Sequence, residues 1–336
     1  MASLPSTDVS GAASPRLSAT ALWYVDRGRA ELRTTALPVG REEALVHTSW
    51  SGISRGTERL VLAGRVPPSE AQRMRAPLQE GEFPFPVKYG YSAVGTVESG
   101  PADLVGRTVF ALHPHQSAFA VAPDWLHPLP DGVPPRRAVL AANMETALNA
   151  VWDSRAAPGD RIAVIGAGVV GLLVAYLCAR LSRGEVVVSD IAPARESTAR
   201  ALGARFAAPG TLDDGFDVVF HTSATADGLA SAIAACGNEA RIVEMSWYGD
   251  GVVAVPLGGA FHSRRLQIVS SQVGQVAPSH RARWTHRRRL AKAIELLADD
   301  RLDALITAEV PFADLPKALP GLLAAGAPGL VTAVRY

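Results

Sequence analysis

The run Arg161-Ile-Ala-Val-Ile-Gly-Ala-Gly-Val-Val-Gly171 constrains the fold of this chain more than any other stretch. An apolar strand enters it, glycines stand at 166, 168 and 171, and an apolar helix, Leu172 to Leu181, leaves it. A second apolar strand, Glu185 to Ser189, then ends in Asp190. Glycines so spaced between strand and helix, with an acid about 20 residues further on, form a dinucleotide-binding fingerprint. Gly166 allows the tight turn, Gly168 lets backbone approach a pyrophosphate, and Gly171 lets the helix lie close on the sheet. The helix N-terminus, with Val169 and Val170 leading into it, offers free N–H groups and a positive dipole end to the phosphates. Asp190 is expected to accept hydrogen bonds from the adenine ribose hydroxyls and to repel a 2′-phosphate, so NAD(H) is favoured over NADP(H). Arg195 nearby tempers that preference, its plain alternative being a surface salt bridge. For the whole motif, the plain alternative is a tight strand-to-helix turn that binds nothing.

What surrounds the motif repeats its rhythm. Strands are expected at Arg161–Ile165, Glu185–Ser189, Ala204–Ala207, Asp217–His221, Ala240–Met245 and Leu266–Ser270, with helices at Leu172–Leu181, Ala194–Leu202 and Gly228–Ala235. Six strands alternating with helices predict an α/β fold, a Rossmann-type doubly wound parallel sheet. Upstream, Thr20 to about Pro130 reads as short strands punctuated by Gly and Pro, and Arg136–Ser154 reads as a helix. Downstream come a helix over Trp284–Leu297 and a closing strand over Gly329–Tyr336. The expected organisation is a disordered tail over 1–17, a β-rich domain over 18–150, a dinucleotide-binding domain over 151–283, and a return to the first domain over 284–336.

Composition narrows the class of function. The chain has 336 residues, is 48% hydrophobic and carries a net charge of +1, which gives no reason to expect nucleic acid or an anionic membrane as a bulk partner. Its two cysteines, Cys178 and Cys236, lie in apolar segments and cannot build a disulfide framework or a Cys-rich zinc site. The first residues lack the basic start and apolar core of a secretion signal. No apolar run is long enough to span a bilayer. A cytoplasmic location is expected.

A β-rich first half, a six-stranded nucleotide fold and a short return resemble the medium-chain dehydrogenase/reductase superfamily. The marks are Gly52-Ile-Ser-Arg-Gly-Thr-Glu58, Gly90-Tyr-Ser-Ala-Val-Gly95, the glycine turn and the closing Gly329-Leu-Val segment. The resemblance implies a β-rich, GroES-like catalytic domain whose cleft faces the nucleotide domain. Ser51-Gly-Ile-Ser-Arg-Gly-Thr-Glu-Arg-Leu60 and Tyr89-Gly-Tyr-Ser-Ala-Val-Gly-Thr-Val97 are similar to the bacteriochlorophyllide dehydrogenase branch, a pointer to NAD-linked secondary-alcohol chemistry. Zinc-dependent members of the superfamily place a Cys in G-I-C-G-T-D and a His-Glu pair in G-H-E-x-x-G. Here Ser54 and Arg55 stand at the first, and Tyr91 and Ser92 at the second. Hydroxyl groups are poor zinc ligands at neutral pH, and Glu145, at the third position, is one plausible ligand out of three. No zinc is expected.

Without zinc, a side chain must handle the proton that accompanies hydride transfer. Tyr91 is one candidate, with Lys88 three residues upstream able to lower its pKa or to be an ordinary surface lysine. His115 is another, since histidine titrates near neutral pH; Glu145 and Thr57 complete the catalytic set. Substrate contacts are expected from Ser54, Arg55, His113, Gln116, Tyr248 and Gln272. Ligands of open α/β sheets bind at the carboxyl ends of the strands, which adds Thr222, Ser223, Ser246, Trp247 and Ser271 to the cofactor set. Trp247 and Tyr248 would form an aromatic wall for a bulky substrate. The run His280-Arg-Ala-Arg-Trp-Thr-His-Arg-Arg-Arg289 reads as a solvated helix face, or as a means of bringing Arg264, Arg265 or Arg287 to an anionic substrate.

The resulting expectation is a zinc-independent NAD(H)-dependent enzyme that interconverts a secondary alcohol and a carbonyl on a bulky small molecule, anionic or neutral. An NADPH-dependent quinone or enoyl reductase is the alternative enzyme. A cofactor-binding protein without turnover is the alternative outside enzymes. A homodimer through the Leu266–Ser270 edge strand is expected, because an unpaired apolar edge is a liability.

Overall fold

The computed structural model describes residues 17–181 and 184–336. The expected tail over 1–17 therefore lies, except for Leu17, outside the described residues. All six predicted nucleotide-domain strands are present in one parallel sheet. From edge to edge they run Arg205–Ala207, Val186–Ser189, Ile162–Ile165, Phe216–His221, Cys236–Glu244 and Gln267–Ser270. The order reverses beside Ile162–Ile165, and such a switch point opens a crevice at the strand carboxyl ends. Ile162, Val164, Val187, Val219 and Ile242 are fully buried because helices cover both faces. Each such side chain contributes about 1.5–3 kcal/mol.

The β-rich domain is built on a seven-stranded sheet around the long Ala44–Ile53 strand, with a smaller four-stranded sheet centred on Ser18–Asp26. The closing strand Val331–Arg335 pairs antiparallel with Ala44–Ile53 and parallel with Ile306–Pro311. The Ile306–Pro311 strand has no counterpart in the sequence reading. It alternates Ile306, Ala308 and Val310 with Thr307, Glu309 and Pro311, but the run is only six residues long and ends in a proline on an edge strand.

Two expected boundaries shift. The helix read over Arg136–Ser154 is a short turn, Pro135–Ala138, followed by Ala141–Ser154, so a boundary at residue 150 falls inside a continuous helix. The helix expected over Trp284–Leu297 is His286–Glu295. Its buried Leu290, Ala293 and Ile294 share a core with Leu148, Val151 and Leu172–Tyr176. The return to the first domain therefore begins at Ile306–Pro311 and not at 284.

Candidate active site

The glycine turn has the geometry its spacing demands. Gly166 has φ +110°, and a side chain there would strike Thr222 and Ser223. A Cβ on Gly171 would lie 2.0 Å from the Gly166 carbonyl oxygen and 2.6 Å from Thr222 Oγ1. Thr222 closes the turn from the neighbouring strand, donating to the carbonyls of Ile165 (3.1 Å) and Gly166 (2.9 Å). Gly168 is exposed, with open space on its side-chain face. The Val169–Leu181 helix starts there, and its first N–H groups face that space.

Asp190 follows the adjacent strand. Its Oδ2 accepts the Ala167 N–H at 2.6 Å and its Oδ1 the Ala192 N–H at 2.8 Å, which fixes the carboxylate beside the glycine turn. Each oxygen keeps a lone pair for a ribose hydroxyl. Ile191, 87% exposed, stands next to it as an apolar platform that the sequence reading did not single out. Arg195 is not a simple surface ion pair. It crosses to the first domain and donates to the Gly329 carbonyl at 2.5 Å. Arg55 donates to the same carbonyl (2.6 Å) and to those of Ala327 and Pro328. Burial, together with the charges of Arg59 and Arg195, lowers the Arg55 pKa. Two guanidinium groups from different domains thus converge on one turn at the mouth of the crevice.

Across the crevice, the predicted residues Tyr91, Ser54 and Thr57 come together. Burial pushes the Tyr91 phenol up to about 12, while the Ser54 and Thr57 hydroxyls that face it pull the other way and Glu58 adds to the rise. Glu58, missed by the sequence reading, organises the wall behind them. Its Oε1 accepts the Ser54 N–H at 2.7 Å, and its Oε2 accepts from Tyr24 at 2.6 Å and lies 3.2 Å from His115 Nε2. His115 Nδ1 is 2.7 Å from Ser51 Oγ, which in turn meets the Tyr336 phenol at 3.0 Å. Both Glu58 and His115 are fully buried, so His115 braces this wall from behind and does not reach the crevice. Glu58 lies in the same Gly52–Glu58 segment that carries the family likeness, which is the signal that could have revealed it.

Glu145 is held away from that cluster. Its Oε1 accepts from Arg289 Nε at 3.0 Å, and Arg289, 1% exposed, also donates to Asn149 Oδ1 (2.6 Å) and to the carbonyls of Val273 and Gln275. Burial raises the Glu145 pKa, partly offset by Arg289. The three positions where the family resemblance would set zinc ligands therefore present two hydroxyls and a carboxylate already spent on a guanidinium. That donor set does not fit zinc. Among the described residues, no group of three or more His, Cys, Asp or Glu side chains could hold a metal.

The strand-end residues arrange differently from expectation. His221 is fully buried, with Nδ1 2.7 Å from Glu244 Oε2 and Nε2 2.7 Å from Ser223 Oγ. Tyr248 turns into this cluster and donates to Glu244 Oε2 at 3.2 Å, and Ser246 caps it through its N–H. Burial works to raise the Glu244 pKa, but the bonds and charge of His221, with Ser246, outweigh it and hold the carboxyl below its ordinary value. Trp247 packs on the core of the first domain. The expected aromatic wall is thus absent, because Tyr248 bonds a half-buried carboxylate and Trp247 packs on the core of the first domain. Ser271 donates to Asp153 Oδ2 at 2.7 Å, and the Gln272 side chain caps its own turn at Gly274.

Four further expectations are corrected. Lys88 is no surface lysine: 5% exposed, it pairs with Glu80 and donates to Gln116 Oε1 at 2.7 Å, which also removes Gln116 from the crevice. His113 stacks on Phe119 and bonds to the Pro114 carbonyl, and burial drives its pKa down to about 3, so it is a neutral packing residue. Arg264 and Arg265 precede the last sheet strand and so sit at its amino end, bonded to the Cys236 carbonyl and to Glu239. Arg287 binds the carbonyls of Asp124 and Leu126.

This architecture, a parallel six-stranded nucleotide domain joined to a β-rich domain that the chain re-enters at its end, is the fold of the medium-chain dehydrogenases. The chain is similar to 2-dehydro-3-deoxy-L-galactonate 5-dehydrogenase of Pseudoalteromonas atlantica, 28% identical over 221 residues that cover 62% of this chain and 60% of the relative. It thus spans about 60% of the length of that curated relative. L-idonate 5-dehydrogenase from Escherichia coli superposes with a TM-score of 0.79 at 15% identity, over 95% of this chain and 99% of that one. An alcohol dehydrogenase from Escherichia coli complexed with NADH superposes with a TM-score of 0.74 at 15% identity, over 95% and 99%. No family model matches the chain.

Proposed function

We propose that this chain is a zinc-independent, NAD(H)-dependent oxidoreductase that interconverts a secondary alcohol and a carbonyl on a small molecule. The observation that carries the reading is the glycine turn with Asp190 fixed beside it, together with the Tyr91–Ser54–Thr57 hydroxyl cluster of the other domain. Gly168 and the helix start behind it would hold the cofactor diphosphate, and Asp190 the adenine ribose. When bound, the nicotinamide would supply or accept the hydride. Tyr91 is the acid. A phenol pushed up to about 12 keeps its proton at neutral pH and can give it to a forming alkoxide from Oη. The convergence of Arg55 and Arg195 at the crevice mouth supports an anionic group on the cofactor or substrate. The likeness to bacteriochlorophyllide dehydrogenase supports secondary-alcohol chemistry and leaves the substrate open.

We place the enzyme in the cytoplasm, as a homodimer through Gln267–Ser270, which forms one edge of the nucleotide-domain sheet. No helix among the described residues is long and apolar enough to cross a membrane. The deciding experiment is a fluorescence titration with NADH and NADPH, with zinc content measured on the same sample. NADH binding without stoichiometric zinc is expected, followed by NADH-dependent reduction of ketones in a substrate screen. Preference for NADPH would turn the reading toward a quinone or enoyl reductase. Binding without turnover on a broad ketone and alcohol panel would leave a cofactor-binding protein, and stoichiometric zinc would refute the zinc-independent chemistry.

A further inference from the structure

The arginine-rich run that the crevice did not absorb borders a second cavity. It has a volume of about 650 Å³ and lies between the Ala141–Ser154, Val169–Leu181 and His286–Glu295 helices. Leu177, on its wall, is nine residues past Gly168, so the cavity sits about 13 Å along the helix from the glycine turn. The proposed cofactor site is at the start of that helix, and this cavity opens at its far end. The floor is aliphatic, with Val151, Leu177 and Leu296, and Trp152 and Trp284 form one wall.

Two features define what would fit. The aromatic faces are already engaged: Trp152 stacks on His280 at 4.1 Å and leans on Trp284 at 4.9 Å, while the Arg288 guanidinium lies 4.0 Å above Trp284. A flexible alkyl body suits the remaining aliphatic surface better than a flat ring. The surroundings are cationic. Arg180 and Lys292 on the rim are neutralised by Asp299 and Glu295. None of the ion pairs among the described residues engages Arg155, which lines the cavity, or Arg283, whose charge helps lower the His280 pKa after burial. An apolar trough with unneutralised cations beside it complements an apolar chain that ends in an anion.

We propose that this cavity is a second binding site, separate from the cofactor crevice, for an amphipathic alkyl carboxylate. The test uses the full chain with dodecanoate below its micelle concentration, followed by tryptophan fluorescence and by calorimetry, with dodecanol as the uncharged control. Saturable one-site binding of dodecanoate is expected, at least tenfold tighter than dodecanol. Arg155→Glu combined with Arg283→Glu changes two exposed side chains and should weaken dodecanoate at least tenfold while leaving dodecanol unchanged. Trp284→Phe should diminish the fluorescence response and keep the binding. Excess NADH should not compete. The charge variants give their answer even if the chain proves not to bind NADH, so this site and the proposed oxidoreductase can fail separately. Equal, variant-insensitive binding of acid and alcohol, competition by NADH, or no saturable binding would each overturn the proposal.

Discussion

Replacing Arg289 by methionine tests whether Glu145 belongs to the framework or to the chemistry. Arg289 is 1% exposed and is the partner of a carboxylate that is itself 4% exposed. Removing one member of a buried ion pair costs about 3–5 kcal/mol, because the other is left charged and unpaired. Asn149 Oδ1 and the Val273 and Gln275 carbonyls lose a donor as well, which places Arg289→Met toward the upper end of that range. The cost should depend on pH. The Glu145 pKa is already raised by burial against the pull of Arg289, and deleting the guanidinium raises it further. An acid whose folded pKa exceeds its unfolded one is stabilising below the unfolded value and loses that contribution as pH rises through the folded value. The penalty is therefore largest above the raised folded pKa and shrinks on acidification through it. Glu145→Leu on top of Arg289→Met removes the stranded charge and should recover more than half of the loss. Urea unfolding followed by circular dichroism at several pH values gives the measurement. A pH-independent cost, or a double variant no more stable than Arg289→Met alone, would refute the reasoning.

Other consequences are more local. Tyr91→Phe should lower kcat for carbonyl reduction about 100- to 10,000-fold, with NADH affinity unchanged in the same titration, if the phenol is the acid. Because the Tyr91 pKa lies at about 12, the wild-type reduction rate should show no phenol titration across the neutral range, which a pH–rate profile checks. Asp190→Ala should weaken NADH more than NADPH, since it removes a ribose acceptor and the charge that opposes a 2′-phosphate; an equal effect on both would count against its role. Gly171→Ala should abolish cofactor binding, because its Cβ would lie 2.0 Å from the Gly166 carbonyl oxygen, and the loss is read in the same fluorescence titration.

The fold was legible wherever a periodic pattern met a steric requirement. The six nucleotide-domain strands carry apolar runs bounded by turns, and Gly166 and Gly171 of their first turn each answer a close contact, so pattern and packing agree. The Ile306–Pro311 strand was missed although its apolar–polar alternation is complete, because the run is short and closes on a proline. At the site, the hydroxyl cluster could be read from the segments holding Tyr91, Ser54 and Thr57. The fates of Glu145 and Lys88 could not, since each depends on a partner distant in sequence, Arg289 and Gln116, and Tyr248 follows Glu244, whose own partner His221 comes from the neighbouring strand. Arg289 was concealed in a charge run, yet it stands beside Leu290, Ala293 and Ile294 on the buried face of its helix. A charged residue on an apolar helical stripe marks a buried ion pair even inside a basic stretch.

The departure from the zinc-ligand pattern that the resemblance implies is coherent across all three positions, and this bears on whether such a site can be built here. Ser54 is tied to Glu58 through its backbone and faced by Tyr91, while Glu145 is neutralised by Arg289 from a different helix. Restoring thiolate and imidazole by Ser54→Cys with Tyr91→His supplies two donors, and a third must still be drawn from the buried Arg289 pair. Breaking that pair costs about 3–5 kcal/mol, which the metal would have to offset before any net binding. The double variant should therefore contain far less than one zinc per chain after dialysis against a zinc buffer, measured by atomic absorption. Stoichiometric zinc in that variant would show that Glu145 is not committed to Arg289, and the zinc-independent reading would lose its structural basis.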